Sequence, residues 1–410
     1  MHDILYTHTE VPCFAVLRPT KGDFMTRKMA LVCSLLLLAA VIGYAQDDAF
    51  QSDPAAAAGS IFVHSQFGGQ IFGFDIDQNG SEGVLSEAQD LSNGKVLAAV
   101  ETFDQATGNI LNVVIETQTQ DDFLTMGVVG NGVGLVEREH VVSLLNVHRS
   151  FAEINPLSGN KFNHLWTPPI GKDHIIDAGG VSRSQGVHNV AVYALDLSGS
   201  FVPLVFSSNV SANTFGPVVN ITDSANFGSV PPPIAYDSKT NQAILGGGPG
   251  CFDCRPVIGV VDLTAGTFSE FTGIGFGFIN GIAVDSADGI ACTTTEDDAS
   301  VEFYNLKTQT GFTTALPGSG FNQFFSGADV EFDPIHKIFL VAQPNSSSAS
   351  SGSTIYVYDT NGFLKETING FSFSNTFNVV PAHIALKPST RSGFVDGPDS
   401  GVTEIQSFTY

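Results

Sequence analysis

The stretch NGIAVDSADGIACTTTEDDASVEFYNLKTQTG, residues 280–311, decides the fold. An apolar run ends at Asp285, a polar turn follows, and a second apolar run starts at Ile290. A third run, VEFYN, alternates polar and apolar side chains and ends at another polar turn. Short runs of this kind, separated by Gly, Asn, Asp and Ser, predict antiparallel β-strands joined by tight turns. The stretch therefore predicts three strands of one sheet and the turn into a fourth.

The same pattern recurs along the chain. An apolar strand, a charged end, a polar turn and a second strand occur in LAAVETFDQATGNIL, PPPIAYDSKTNQAIL, GADVEFDPIHKIFLV and PAHIALKPSTRSGFV. With the opening stretch, their first strands end at Asp104, Asp237, Asp285, Asp333 and Lys387, at intervals of 133, 48, 48 and 54 residues. The long interval divides into three of about 44 residues, so it holds two further units. We place these units in 131–166 and 174–206.

Units of about 45–50 residues with four antiparallel strands are typical of β-propeller blades. The spacing predicts seven units, of which the last has too few strands after Lys387. The segment SIFVHSQFGGQIFGFDID, residues 60–77, supplies the missing strand, which joins the two ends of the chain and removes an exposed sheet edge. We therefore predict an all-β fold: a seven-bladed β-propeller of four-stranded antiparallel blades, closed by an N-terminal strand, with residues 60–410 as a single domain.

Two pairs of segments resemble the YVTN and NHL families of β-propellers. They are GIAVDSADGIACTT with SVEFYNLKTQTG, and DVEFDPIHKIFLV with TIYVYDTNG, and the resemblance is strongest over residues 230–394. The chain also resembles, more weakly, the lactonase-like propellers. In the gluconolactonase-like members an Asn before such a strand binds a metal ion on the central axis, which implies a metal ligand at Asn280. These motifs indicate the fold and leave the activity open.

Matching the units in register gives the candidate site residues. Five residues before the strand ends lie Ala99, Pro232, Asn280, Ala328 and Ala382. Asn280 alone among these has a side chain that ligates metals. One residue later, Asp329 and His383 occupy matching places on neighbouring units, near the axis. Such a pair orients a His base or supplies two metal ligands, or it serves only to hold two blades together. We take Asp329 and His383 as candidate catalytic residues and Asn280 as the candidate metal ligand.

The segment GGGPGCFDCRP contains two cysteines, Cys251 and Cys254. A redox motif requires a helix N-terminus, and a zinc site requires two more ligands, so we predict a disulfide that clips a hairpin loop. Cys292 lies in the middle of a predicted strand and is expected to be buried. We expect no cofactor, with a divalent cation such as Ca²⁺ left open by the acidic runs TEDDAS (295–300) and TQDDF (119–123).

The N-terminal region carries a targeting signal. In MTRKMALVCSLLLLAAVIGYAQ, basic residues precede an apolar run and a small-residue ending, which predicts a secretory signal peptide at 25–45 with cleavage after Ala45. Residues 1–24 are then a mis-assigned upstream extension, with translation starting at Met25 or Met29. Residues 46–59 form a linker. The mature chain is expected to be secreted or periplasmic, with no membrane span.

Charge limits the partners. Acidic residues outnumber basic ones 41 to 17, giving a net charge of -24, which excludes nucleic acid and anionic lipid as partners. We expect a monomeric, exported binding protein that recognises a protein, peptide or glycan through one loop face, decorated by the insertions 207–230 and 344–353. The alternative is an enzyme, a lactonase-like or other hydrolytic propeller with a polar or metal site on the axis around Asn280, Asp329 and His383.

Overall fold

The computed structural model of the protein describes residues 60–68, 70–90, 96–117, 122–130, 133–143, 146–154, 164–166, 180–184, 187–196, 202–209, 214–227, 232–248, 254–295, 300–316, 329–343, 353–371, 383–399 and 402–410. All of them belong to one compact unit, Asp48–Tyr410. The predicted upstream extension, signal peptide and linker (1–59) lie outside the described residues. So do most of the insertion 344–353 and parts of 207–230.

The described residues form 29 strands, one short α-helix and one 3₁₀ helix, Pro388–Thr390. Strands β1 to β14 are Phe62–His64, Gln70–Ile76, Glu82–Asp90, Val96–Asp104, Ile110–Thr117, Asp122–Gly130, Val133–Ser143, Asn146–Ile154, His164–Trp166, Gly180–Ser184, Val187–Asp196, Val202–Asn209, Thr214–Phe215 and Val219–Asn220. Helix α1 is Ser224–Phe227. Strands β15 to β29 are Ile234–Asp237, Gln242–Gly247, Val257–Asp262, Thr267–Thr272, Ile279–Asp285, Ile290–Thr295, Ser300–Asn305, Thr310–Ala315, Asp329–Asp333, Ile338–Gln343, Ser353–Asp359, Leu364–Phe371, Ile384–Lys387, Ser392–Asp399 and Val402–Thr409.

These strands pair into seven antiparallel sheets. Sheets 1 and 2 are β2–β5 and β6–β9, sheet 3 is β10–β14, and sheets 4, 5 and 6 are β15–β18, β19–β22 and β23–β26. Sheet 7 contains β27, β28, β29 and β1 in that order. The first strands of the sheets contact one another in the closed series β2, β6, β10, β15, β19, β23, β27 and again β2. The sheets therefore surround one axis, with the first strand of each innermost.

The two ends of the chain meet in sheet 7. Strand β1 pairs with β29, with Phe62 opposite Gln406 and His64 opposite Glu404. Ser407 adds two hydrogen bonds to Ile61, one through its backbone N–H at 2.8 Å and one through its Oγ at 2.7 Å. Closure by an N-terminal strand is confirmed. The outer edge of the last sheet is thereby covered by a strand from the beginning of the domain.

The charged ends of the first strands build the turns that follow them. Asp285 Oδ1 accepts hydrogen bonds from the N–H groups of Ala287 (2.9 Å) and Asp288 (3.3 Å), and Asp237 and Asp333 do the same in their own turns. Each turn ends with a residue of positive φ, which is Gly289 at 69° in sheet 5. Asx turns of this kind satisfy backbone donors that the sheet leaves unpaired. The sequence repeat thus reflects the same hydrogen-bonded turn, in which an Asp side chain accepts backbone N–H groups.

The assignment of Asp104 to this set is wrong. Asp104 ends β4, the third strand of sheet 1, where its Oδ1 accepts the N–H of Thr107 at 2.8 Å. The matching residue of sheet 1 is Asp77, which follows β2 and accepts the N–H of Asn79 at 2.9 Å. Third strands end in the same turn chemistry as first strands, as at Asp262. The sequence pattern therefore does not distinguish the two kinds of hairpin.

The core lies between neighbouring sheets. Phe303 of sheet 5 contacts Phe339 of sheet 6 edge to face at 5.8 Å, and Phe103 of sheet 1 contacts Phe394 of sheet 7 in the same way and at the same distance. All but Phe394 are 0–1% exposed. Burying one such ring stabilises the fold by roughly 1.5–3 kcal/mol. The stability of each sheet therefore depends on its two neighbours.

Candidate functional site

The two faces of the ring differ in their connections. On the turn face, short turns join first to second strands, and neighbouring sheets are tied there by Lys337 Nζ to Asp288 Oδ2 at 2.7 Å and by Lys387 Nζ to the Gly80 carbonyl at 2.6 Å. On the opposite face, which we call the loop face, the first strands begin. The strands that border the long connections 248–256, 316–328, 344–352 and 372–383 end there. The long connections of the chain therefore begin and end at this face.

Asp329 lies at the loop face, as the first residue of β23. Its Oδ1 accepts the N–H of Val330 at 2.8 Å. Its Oδ2 accepts the N–H of Ile384, in the next sheet, at 3.1 Å. The side chain therefore joins sheets 6 and 7 where both first strands begin. Register matching placed Asp329 and His383 on neighbouring sheets at this end, and the structure has them there.

His383 immediately precedes β27 and is held by Asp396 of β28. The imidazole Nδ1 and Asp396 Oδ2 are 3.0 Å apart, and the His383 N–H donates to Asp396 Oδ1 at 2.6 Å. The N–H of Asp396 returns a bond to the His383 carbonyl at 3.1 Å. The Asp396 side chain is 4% exposed and that of His383 is 30% exposed. Asp396 thus fixes the ring and leaves its other edge partly open to solvent.

Three charges set the protonation of this cluster, which consists of Asp329, His383 and Asp396. Burial opposes the imidazolium of His383, but attraction to Asp396, the hydrogen bond to it and the charge of Asp329 prevail and raise its pKa to about 9. Burial also raises the pKa of Asp329 to about 6, against the lowering influence of His383 and of the N–H groups of Ile384 and Val330. These shifts favour a protonated His383 and an ionised Asp329 at neutral pH.

This protonation state determines what the cluster can do. An imidazolium whose Nδ1 is engaged by Asp396 offers its remaining N–H as a hydrogen-bond donor, and it is not a general base at neutral pH. The carboxylate of Asp329 accepts hydrogen bonds beside it. The pair suits a ligand that carries both donors and acceptors, such as a sugar hydroxyl or a peptide amide. The catalytic role given to Asp329 and His383 stays a prediction.

Asn280 is the second residue of β19, the first strand of sheet 5. A β-bulge lies there, between Ile279 and Gly281, and β2 has the same bulge between Ile71 and Gly73. The side chain is partly buried and makes polar contacts. Across the described part of the chain, no group of three His, Cys, Asp or Glu side chains is arranged to hold a metal ion. The metal-binding role of Asn280 stays a prediction.

The cysteines occupy the expected kinds of environment. Cys254 is bonded in a disulfide. Its predicted partner, Cys251, lies outside the described residues, so the pairing stays a prediction. Cys292 is a free thiol in β20, 0% exposed, and burial followed by the charge of Glu302 raises its pKa. A thiol in this environment is unreactive.

Sequence reasoning missed two buried carboxylates at one repeated position. Glu302 lies three residues before Asn305, which ends β21, and Glu101 lies three residues before Asp104, which ends β4. Both are 0% exposed. The two glutamates belong to the segments EFYN and ETFD. An acidic residue in an alternating strand indicates a solvent-facing side chain as long as the neighbouring sheet is not known.

The two carboxylates are held differently. Glu302 accepts three hydroxyl groups, from Thr293 at 2.9 Å, Ser300 at 2.9 Å and Thr295 at 3.2 Å. Glu101 accepts the N–H of Gln66 at 2.9 Å. Burial is the largest influence on Glu101 and raises its pKa to about 7, against the Gln66 N–H and with a further rise from the neighbouring carboxyl group of Glu87. Glu87 is itself 1% exposed.

Comparison with solved structures decides the fold. A chain of the "Crystal Structure of Mitotic Checkpoint Complex", a β-propeller, is similar to this chain with a TM-score of 0.53 and 14% identity, over 89% of this chain and 94% of that one. The chain is an all-β propeller. Each of its sheets is a blade, and the contacts between sheets are contacts between blades. No family model matches the sequence, and no curated protein matches it.

Proposed function

We propose that this propeller is an exported binding protein of the YVTN/NHL-like type that recognises a protein, peptide or glycan through its loop face. The observation that carries the proposal is the difference between the faces. On the turn face, the described hairpins are held by hydrogen bonds that their own Asp, Asn and Thr side chains make within the turn. The loop face presents the long connections together with the cluster of Asp329, His383 and Asp396.

The structural neighbour is consistent with a protein ligand among these classes. It is a propeller chain whose title names a complex. At 14% identity the similarity carries the fold alone, so the ligand class is argued from the site. Propellers use one end of the ring for recognition, because the loops there vary without disturbing the blades.

The chemistry of the cluster supports a polar ligand. The imidazolium of His383 donates and the carboxylate of Asp329 accepts, within one site at the junction of two blades. The ring of His383 loses little conformational entropy on binding, since Asp396 already holds the imidazole Nδ1 and the backbone N–H of the same residue. A ligand that pairs with both groups replaces the water there without leaving a polar group unsatisfied.

Export is supported by two independent features. The basic, apolar and small residues of 25–45 form the order of a secretory signal. Cys254 is in a disulfide, which suits an oxidising compartment outside the cytosol. We propose that the mature chain is secreted or periplasmic. Within the described residues, no helix has the length and apolarity that crossing a bilayer requires.

Matched variants on the two faces test the binding proposal. The mature chain, residues 46–410, is applied to a glycan array and a displayed peptide library, alongside H383Q on the loop face and T264A on the turn face. We expect H383Q to weaken the strongest interaction at least about tenfold, the effect of losing one charge-assisted hydrogen bond, and T264A to leave it unchanged. Equal effects of both variants, or no interaction on either surface, would contradict the proposal.

A further inference from the structure

The first and last blades meet at a seam that holds two buried glutamates. Glu87 of β3 and Glu101 of β4 are both excluded from solvent. The strand register places them diagonally on the same face of the sheet, with Glu87 opposite Ala99 and Glu101 opposite Leu85. Two neighbouring buried carboxyl groups favour the binding of a proton, because two carboxylates repel.

This acid pair is attached to the part of the chain that closes the ring. Glu101 accepts the N–H of Gln66, which lies in the connection between the closing strand β1 and the innermost strand β2. Leu85, directly opposite Glu101 across the strands, belongs to the apolar cluster that packs blade 1 against blade 7. The state of the acid pair is thus transmitted to the connection through one backbone hydrogen bond and through the packing around it.

Blade 5 provides the comparison within the same molecule. Glu302 occupies the same position as Glu101, and Thr295 occupies the position of Glu87. Three hydroxyl donors stabilise the charged form of Glu302. In blade 1 all three hydroxyl donors are replaced, Thr295 by the acid Glu87, and Thr293 and Ser300 by the apolar Leu85 and Ala99. These replacements leave a buried carboxyl group without hydroxyl donors and beside a second acid, so that its burial depends on a proton.

We propose that the proton shared by Glu87 and Glu101 is a pH-sensitive latch on ring closure, whose loss loosens β1 and the connection at 65–68. With the proton present, the pair is neutralised to one charge and the Gln66 N–H is bonded. Without it, two adjacent buried carboxylates repel each other, and opening of the connection admits water to both. The propeller is then more firmly closed in acidic surroundings than in alkaline ones.

The pH range follows from the raised pKa of Glu101. Folding raises the pKa of Glu101 from 4.5 to about 7. The protonated carboxyl group therefore stabilises the fold fully below pH 4.5, and this stabilisation is lost as the pH rises through about 7. Among the described residues, Glu87 is the charged group that acts on Glu101, and the connection contributes an uncharged N–H. One other titratable pair lies on the closing strand: His64 Nδ1 is 3.5 Å from Glu404 Oε2.

Hydrogen exchange of the mature chain measures the latch directly. Protection of residues 60–68, corrected for the intrinsic pH dependence of exchange, is compared between pH 5.5 and 8.5. We expect protection to fall by about tenfold in the wild type and to stay within about twofold in E87Q, since the second charge cannot form. E101Q is the second variant and should behave like E87Q. E302Q, at the matching position of blade 5, should leave the pH dependence of 60–68 unchanged.

The His64 pair is separated by its own variant. Histidine changes charge near neutral pH, so H64Q is measured in the same way. The latch predicts that H64Q keeps the fall in protection. The proposal is overturned if the protection of residues 60–68 in the wild type does not depend on pH. It is also overturned if H64Q abolishes the pH dependence, or if E87Q and E101Q both retain it.

Discussion

The Asp329 carboxylate of blade 6 accepts the backbone N–H of Ile384 in blade 7, at 3.1 Å, on the loop face. The residue before Ile384 is His383, whose imidazole is held by Asp396. The cluster that we propose for ligand recognition is therefore also a joint between two blades. A ligand bound there contacts the molecule at a place where two sheets are already fixed relative to each other, which favours a preorganised site.

The joint predicts a difference between two substitutions of Asp329. D329A leaves the Ile384 N–H without an acceptor, and we expect it to lower the free energy of unfolding by about 1–3 kcal/mol. D329N keeps a carbonyl oxygen in place and should lose less. Urea unfolding at pH 7.5 measures both. An unfolding midpoint of D329A equal to that of the wild type would show that the bond does not hold the blades.

The contact with Asp396 leads to a prediction for the pKa of His383. NMR of the histidine side chains, with H383Q for assignment, should give a pKa for His383 of about 9. In D396N the pKa of His383 should fall, because burial is then opposed by the charge of Asp329 alone. A His383 pKa that is the same in D396N and in the wild type would contradict this assignment.

The same titration predicts a dependence of stability on pH. A histidine with a raised pKa contributes stability below its unfolded value near 6.5 and loses it as pH rises through about 9. We expect the free energy of unfolding of the wild type to decline between these values and that of D396N to decline less. Urea unfolding at pH 6.5, 7.5 and 9 measures the loss of stability that comes from His383. The loss that comes from the Glu87–Glu101 pair falls in a lower pH range.

Much of the fold was accessible from sequence, because the repeat is local. The turn after Asp285 is specified within five residues by one carboxylate and a final Gly289, and similar turns follow Asp237 and Asp333. Spacing then predicted the blades, the closing strand and the neighbouring positions of Asp329 and His383. The assignment of Asp104 failed for the same reason, since first and third strands end in the same kind of turn.

The partners of the site residues could not be predicted from the sequence. Asp396 lies 13 residues after His383 on the next strand, and its role depends on how β27 and β28 pair. Glu87 and Glu101 are joined only once the register of β3 and β4 is known. A carboxylate in an alternating strand gives no sign of whether it faces water or a neighbouring blade. Pairing register and blade packing are tertiary information.

Positive φ angles in the turns predict two opposite effects. Gly289 has φ 69°, with open space around the position of a Cβ atom, so G289A should be destabilised by backbone strain alone, by about 1 kcal/mol. Gln309, at φ 56° in the next turn, carries that strain already. Q309G should be neutral or slightly more stable, by less than about 1 kcal/mol. Thermal unfolding of both variants tests this, and a G289A variant as stable as the wild type would refute it.

Tyr410 predicts the strength of a buried link between blades. Its hydroxyl donates to Asp333 Oδ2 at 2.8 Å, and Asp333 is 0% exposed. We expect Y410F to lose about 1–3 kcal/mol, since it removes a donor to a fully buried side chain. Y236F removes a hydroxyl that donates to the partly exposed Asn241 side chain at 2.9 Å, and should lose at most about 1 kcal/mol. Equal losses in denaturant unfolding would contradict the larger contribution of the buried link.

Ring closure is the claim on which both faces and all the site residues depend. His64 of β1 and Glu404 of β29 are directly opposite each other, so cysteines introduced at both positions by H64C and E404C are within reach of a disulfide. Peptide mapping of the oxidised mature chain under non-reducing conditions should show one peptide pair joining residues 64 and 404 within a single chain. Absence of that bond, or its formation only between two chains, would contradict the closed ring.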